Sequence, residues 1–110
     1  MIRVYNKAIR DRIPEIIVES GSEPTIEILS DEEFLKELEK KLEEEIKEYK
    51  ESKKVEELCD LIEIAHRIAE LQGVSNETLD QMRKKKNIER GYFKENFYLV
   101  CVKSKKIKNI

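Results

Sequence analysis

Lys41-Leu42-Glu43-Glu44-Glu45-Ile46-Lys47-Glu48-Tyr49-Lys50-Glu51-Ser52-Lys53-Lys54-Val55-Glu56-Glu57-Leu58-Cys59-Asp60-Leu61-Ile62 decides the fold. Upstream of it, Phe34, Leu35, Leu38 and Leu42 begin an apolar stripe of helical period that Ile46 and Tyr49 continue. Downstream, Val55, Leu58, Leu61, Ile62, Ile64, Ala65, Ile68, Ala69 and Leu71 form a second, much wider stripe. No glycine or proline separates them, so one continuous helix has to be weighed first. Extended in heptads, the first stripe would put Glu45, Ser52 and Glu56 in its seam. The six residues from Tyr49 to Val55 also displace the stripe by roughly a third of a turn. The phase therefore predicts a break near Ser52-Lys53-Lys54 and an antiparallel pair of long helices.

Outward from the hairpin, punctuation residues mark the remaining elements. A short helical pattern follows Ile13-Pro14 to about Glu19, and Gly21 to Pro24 read as a loop. Thr25-Ile26-Glu27-Ile28 alternates like a brief extended piece. Ser30 with Glu33 three residues on is a capping box for the first long helix. Gly73 is placed to end the second as its C′ residue, and Ser75 reads as the N-cap of a helix reaching Gly91. Phe97 to Val102 is rich in strand formers, and Lys103 to Ile110 is a basic tail. The expected fold is all-α, a helical bundle on the antiparallel pair, with short extended segments near both termini.

The 110 residues suffice for one domain and one core. Charged residues make up 42% of the chain, yet the formal net charge is −2. Mixed charge of this kind describes solvated helix faces and argues against a nucleic-acid partner. No apolar run has membrane-spanning length, and Met1-Ile2-Arg3 opens no signal peptide, so a cytoplasmic protein is expected. Cys59 and Cys101 lack CxxC spacing and sit among apolar neighbours, which predicts buried, reduced thiols.

Four acids fall where acids are expensive. Glu45 lies between Leu38 and Phe34 around its helix, and Glu48 at the border of that apolar arc. Glu57 lies between Leu61 and Ile64 in the middle of the second arc, with Asp60 at its edge. If the hairpin folds about Ser52 and Lys53, Glu48 is level with Glu57 and Glu45 with Asp60. A carboxylate on a core-facing stripe costs several kcal/mol uncompensated, and the arcs themselves offer no Lys or Arg. Convergent oxygen ligands from two helices suit a hard divalent cation, Mg²⁺ above all. The rival reading is that, in so acidic a chain, these are ordinary solvated residues.

The acidic motifs, Glu44-Glu45-x-x-Glu48 and Glu57-x-x-Asp60, resemble the signature of the MazG-like nucleoside triphosphate pyrophosphohydrolases. Asn6 to Ile17 and Lys86 to Phe93 resemble the N- and C-terminal patterns of the small house-cleaning members of that superfamily. One departure is the spacing: only eight residues separate Glu48 from Glu57. The resemblance implies an all-helical enzyme that hydrolyses a nucleotide between the α and β phosphates, giving a monophosphate and pyrophosphate. It implies Glu45, Glu48, Glu57 and Asp60 as ligands of Mg²⁺, with Mn²⁺ as a substitute. Glu44 would orient or deprotonate the attacking water, or stand behind the ligands. Arg10 and Arg12, flanking Asp11, and Lys86 with Arg90 would contact substrate phosphates. For Arg10 and Arg12 the competing reading is a local ion pair with Asp11. Phe93, after the Gly91 turn, is expected in the core. His66 also resembles a histidine found after the acidic motif of phosphoribosyl-ATP pyrophosphohydrolases, which keeps that substrate as an alternative. A third possibility is a catalytically silent helical interaction module. Because the second stripe exceeds what one small bundle can cover, a homodimer or homotetramer is expected.

Overall fold

The computed structural model describes residues 1–103; the basic-tail expectation for residues 104–110 lies outside them. Four helices follow in order: α1 (Ile13–Glu19), α2 (Asp31–Ser52), α3 (Glu56–Leu71) and α4 (Asn76–Arg90). The fold is all-α. The termini of these helices are set by local chemistry. Ser30 Oγ accepts the Glu33 amide at 3.2 Å and also lies 3.0 Å from the Glu33 carboxylate. Asp31, Glu32 and Glu33 in the first turn face the positive end of the α2 dipole. At the other end Lys53 turns left-handed, φ 59°, and its amide closes on the Tyr49 carbonyl. That residue breaks the chain where the change of phase required it.

α3 ends in a Schellman arrangement. Gly73 (φ +85°) donates to the Glu70 carbonyl and Val74 to that of Ala69, each at 2.9 Å. Ser75 then caps α4 by accepting the Thr78 amide at 3.1 Å. Gly91, expected beyond the end of α4, is its C-cap residue with φ 82°.

α2 and α3 pack against each other, and α4 packs on α3. Leu38 of α2, Ile64 of α3 and Ala8 of the N-terminal segment form the buried centre, with Phe34, Leu42, Ile68 and Leu71 packed around it. The antiparallel order follows from these pairings: early α2 meets late α3, and late α2 meets early α3. The N-terminal segment thus lies across the hairpin, supplying a core residue two positions before Arg10.

Thr25 to Ile28 and Phe97 to Val102 lie outside the helices, and no strand ladder forms among the described residues. Two expectations are corrected. Cys59 and Cys101 are exposed rather than buried, because Cys59 occupies the uncovered face of α3 and Cys101 the uncovered C-terminal segment. Phe93, expected in the core, is fully exposed for the same reason.

The molecule is long, 62 × 32 × 22 Å, with a radius of gyration of 18.9 Å. A compact chain of this length would have about 13 Å. Among the described residues, no helix is long and apolar enough to cross a membrane.

Candidate metal centre

The acids on α2 and α3 come together at the end of the hairpin nearest the turn. Glu45, Glu57 and Asp60 can each turn a carboxylate oxygen to within 4.8 Å of the others. Glu44, Glu45 and Glu48 do the same on α2 alone. Glu45 belongs to both groups and is the pivot of the cluster. Glu48, expected level with Glu57, gathers with the α2 acids. Glu44, expected to act on the attacking water or stand behind the ligands, reaches the same cluster.

Glu45 is also the most deeply placed of them. It is 6% exposed, and its Oε2 is buried without a hydrogen-bond partner. Its carboxyl is pushed from 4.5 up to about 7, first by burial, then by the hydrogen bond and the charge of Glu48. The charge of Lys41 pulls it down and that of Asp60 pushes it up. A buried acceptor with no donor destabilises the fold by about 1–3 kcal/mol or more. A cation among these oxygens removes that penalty, and hard oxygen donors from two helices are the ligand set Mg²⁺ and Mn²⁺ take.

The expectation that the arcs carry no cation is corrected. Lys41, one turn before Glu45 and 16% exposed at its side chain, approaches it at 3.8 Å. Two more cations arrive from the N-terminal segment. Arg10 donates to Asp60 at 2.6 Å, and Lys7 reaches Glu44 at 3.5 Å. Arg10 therefore pairs across the fold with an acid of the cluster rather than locally with Asp11. Sequence reasoning missed Lys7 and Lys41 in these positions. The i,i+4 spacing of Lys41 to Glu45 was a readable signal, whereas the passage of Lys7 across α2 has no periodic signature.

The other basic candidates lie elsewhere. Arg12 pairs with Glu15 on α1. Lys86 and Arg90 are exposed on the second half of α4, which packs on α3 and not on α2. Neither contributes to an ion pair among the described residues. Earlier in α4, Asp80 engages Arg83 at 2.7 Å and Lys84 at 3.2 Å, and the Arg83 and Lys84 hydrogen bonds hold its carboxyl below its ordinary value. His66 is half-buried on α3, on the helix side remote from Glu57 and Ile64.

No family profile matches the chain, and no solved structure matches it. A stretch of 40 residues, 36% of the chain, is 52% identical to an uncharacterized protein of Mycolicibacterium smegmatis (strain ATCC 700084 / mc(2)155), and it spans 41% of that protein's length.

Proposed function

We propose that the chain is a Mg²⁺-dependent nucleoside triphosphate pyrophosphohydrolase, similar to the MazG-like enzymes, that cleaves between the α and β phosphates. The observation that carries this reading is Glu45. A carboxylate buried among four other acids, with one oxygen lacking any donor, is tolerable at neutral pH only if protonated or bound to a cation.

Glu45, Glu57 and Asp60 would hold the ion across the two helices, with Glu48 completing the set from α2. When bound, Mg²⁺ supplies charge neutralisation at the phosphoryl oxygens. Glu44, half-exposed at the rim and paired with Lys7, would accept a proton from water. Arg10, through Asp60, fixes the orientation of one carboxylate and keeps a guanidinium beside the oxygens the substrate would present. Water attacks the α-phosphorus, the bond to the bridging oxygen breaks, and pyrophosphate leaves. Lys86 and Arg90 belong to this reading only if another copy brings α4 to the cluster.

Such an assembly is part of the proposal. Val55 is 75% exposed, Ile62 57% and Leu58 37%, all on the α3 face turned away from α2. An apolar helix face of that extent, in a chain far longer than a compact domain, favours a homodimer or homotetramer over a monomer. The same exposed face favours the second reading, a silent helical module whose acids are already offset by Lys7, Arg10 and Lys41.

One assay separates the two. Release of pyrophosphate is followed from ordinary and modified nucleoside triphosphates, and from phosphoribosyl-ATP, with and without Mg²⁺, for wild type and Glu57→Ala. The enzyme reading expects Mg²⁺-dependent release by wild type alone. No release from any nucleotide, with no Mg²⁺-induced rise in Tm, would sink it.

A further inference from the structure

The N-terminal segment does more than deliver Ala8 and Arg10. Between it and α2 runs a polar groove of about 360 Å³ that ends on Glu44, an acid of the metal cluster. Arg3, Lys7, Lys40 and Lys41 line it, set against the two carboxylates Glu37 and Glu44. In a protein of net charge −2 this is a local excess of positive charge directly beside the acids.

Two features describe its occupant. The Tyr5 ring is already engaged by cations, Arg3 at 5.1 Å and Lys7 at 5.7 Å from its centroid. The ring therefore acts as a spacer that holds two charges over the groove, not as a free stacking surface for a base. Lys7 and Lys40 are held only loosely by their present partners, whereas Lys41 is half-buried beside Glu45. Lys40 meets Glu37 at 3.2 Å with its side chain 74% exposed, and Lys7 meets Glu44 at 3.5 Å with both side chains 39% exposed. Exposed pairs of this kind contribute little and exchange readily for phosphate oxygens. Glu37, Lys40, Lys41 and Glu44 fall on one stripe of α2, and Glu48 continues it. Lys40 is thus roughly 6 Å along the axis from Glu44.

We propose that this groove binds the phosphates distal to the scissile bond, so that Arg3, Lys7, Lys40 and Lys41 hold the pyrophosphate portion of the nucleotide while the acidic cluster addresses the α phosphate. The proposal rests on the pyrophosphohydrolase reading for the orientation of the substrate. The groove is a binding subsite, and its four basic residues position the leaving group, while Glu44 at its end is the acid that meets the attacking water. A monophosphate lacks the charge to reach them, so the groove selects for a polyphosphate tail.

The test is calorimetric binding of inorganic pyrophosphate, a nucleoside triphosphate and a nucleoside monophosphate, each in the presence of Mg²⁺. Wild type is compared with Arg3→Ala/Lys40→Ala, both at the exposed rim, and with Lys84→Ala/Lys85→Ala on α4 as an equal loss of charge. The groove pair should lose about tenfold or more in affinity for pyrophosphate and triphosphate. Its affinity for monophosphate, and all affinities of the α4 pair, should stay within about twofold. Arg3→Lys/Lys40→Arg should restore binding. Equal losses in both alanine pairs, or no loss in the groove pair, would overturn the proposal. So would a triphosphate affinity left unchanged while that for pyrophosphate falls, since the groove would then serve a free polyphosphate. The Mg²⁺-induced rise in Tm is read in the same samples. Its absence in wild type refutes the metal centre, and its presence beside unaltered pyrophosphate binding refutes the groove alone.

Discussion

The two faces of α3 are both apolar, yet only one is covered. Toward α2 the helix presents Glu57, Asp60, Ile64, Ile68 and Leu71, where packing is tightest and the two acids are half-buried beside Glu45. Half a turn around, Val55, Leu58, Cys59 and Ile62 face solvent. The other charged residues of the helix, Glu56, Glu63, Arg67 and Glu70, form a stripe between the two. The inner face therefore explains what the chain contains, and the outer face what it lacks. On the proposed reading, the charge on the inner face is what a divalent cation would neutralise, and the apolar surface on the outer face is what another copy of the chain would cover.

The largest expected effect is on the inner face. Glu57→Ala removes an acid that α3 contributes to the cluster, and under the proposed pyrophosphohydrolase reading hydrolysis should fall about 100-fold or more, with Mg²⁺ dependence weakened in parallel. Steady-state kinetics over a Mg²⁺ titration measures both. If hydrolysis persists with unchanged Mg²⁺ dependence, the inner face is only a core.

Next in size is packing on the same face. Leu38 is 5% exposed against Ile64 and Ala8, so Leu38→Ala should destabilise the chain by about 3 kcal/mol. Denaturant unfolding measures it. A loss below about 1 kcal/mol would mean that the hairpin interior is loosely packed and that the acids are not held by it.

The pH dependence comes third. Because the Glu45 pKa in the fold is raised from 4.5 to about 7, the folded chain keeps a proton that the unfolded chain releases in between. Glu45 thus contributes no penalty at pH values below 4.5, and stability falls as pH rises through about 7. Glu48 and Asp60 deepen this loss and Lys41 limits it. For the metal-free protein the decline should be of order 3 kcal/mol. Glu45→Gln should flatten it, and Mg²⁺ should raise Tm far more at about pH 8 than at about pH 5. Thermal melts across that range with and without chelator give the answer. A metal-free Tm that climbs toward neutral pH would contradict the burial of this charge.

How far the sequence disclosed this arrangement depends on how local the causes were. Ser30, Gly73 and Ser75 act through hydrogen bonds to residues within a turn, and each terminus was readable. The hairpin was readable because a six-residue offset spoils the phase of a single stripe. Glu45 and Glu57 stood out for the same periodic reason. The long-range partners did not. Lys7 and Arg10 belong to a segment without regular structure, and nothing in its spacing says that it crosses α2 to reach Glu44 and Asp60. Nor does an apolar residue declare whether its cover comes from the same chain. Cys59, Cys101 and Phe93 were read as interior, while in the single chain they are exposed.

The smallest effect on the chain itself is the one that sharpens the contrast most. Ile62 is 57% exposed on the outer face, and in an isolated chain Ile62→Lys should alter stability by no more than about 0.5 kcal/mol. In an oligomer the same substitution places a charge in an apolar interface and should abolish association. The two situations separate with protein concentration. Wild-type Tm should rise from low to high micromolar concentration, because association stabilises only the folded state, and the mass should double or quadruple by light scattering. In Ile62→Lys the Tm should be independent of concentration and the mass that of one chain. If both proteins behave as monomers with equal Tm, the outer face of α3 is solvated as it stands, and the asymmetry between its two faces has no partner to explain it.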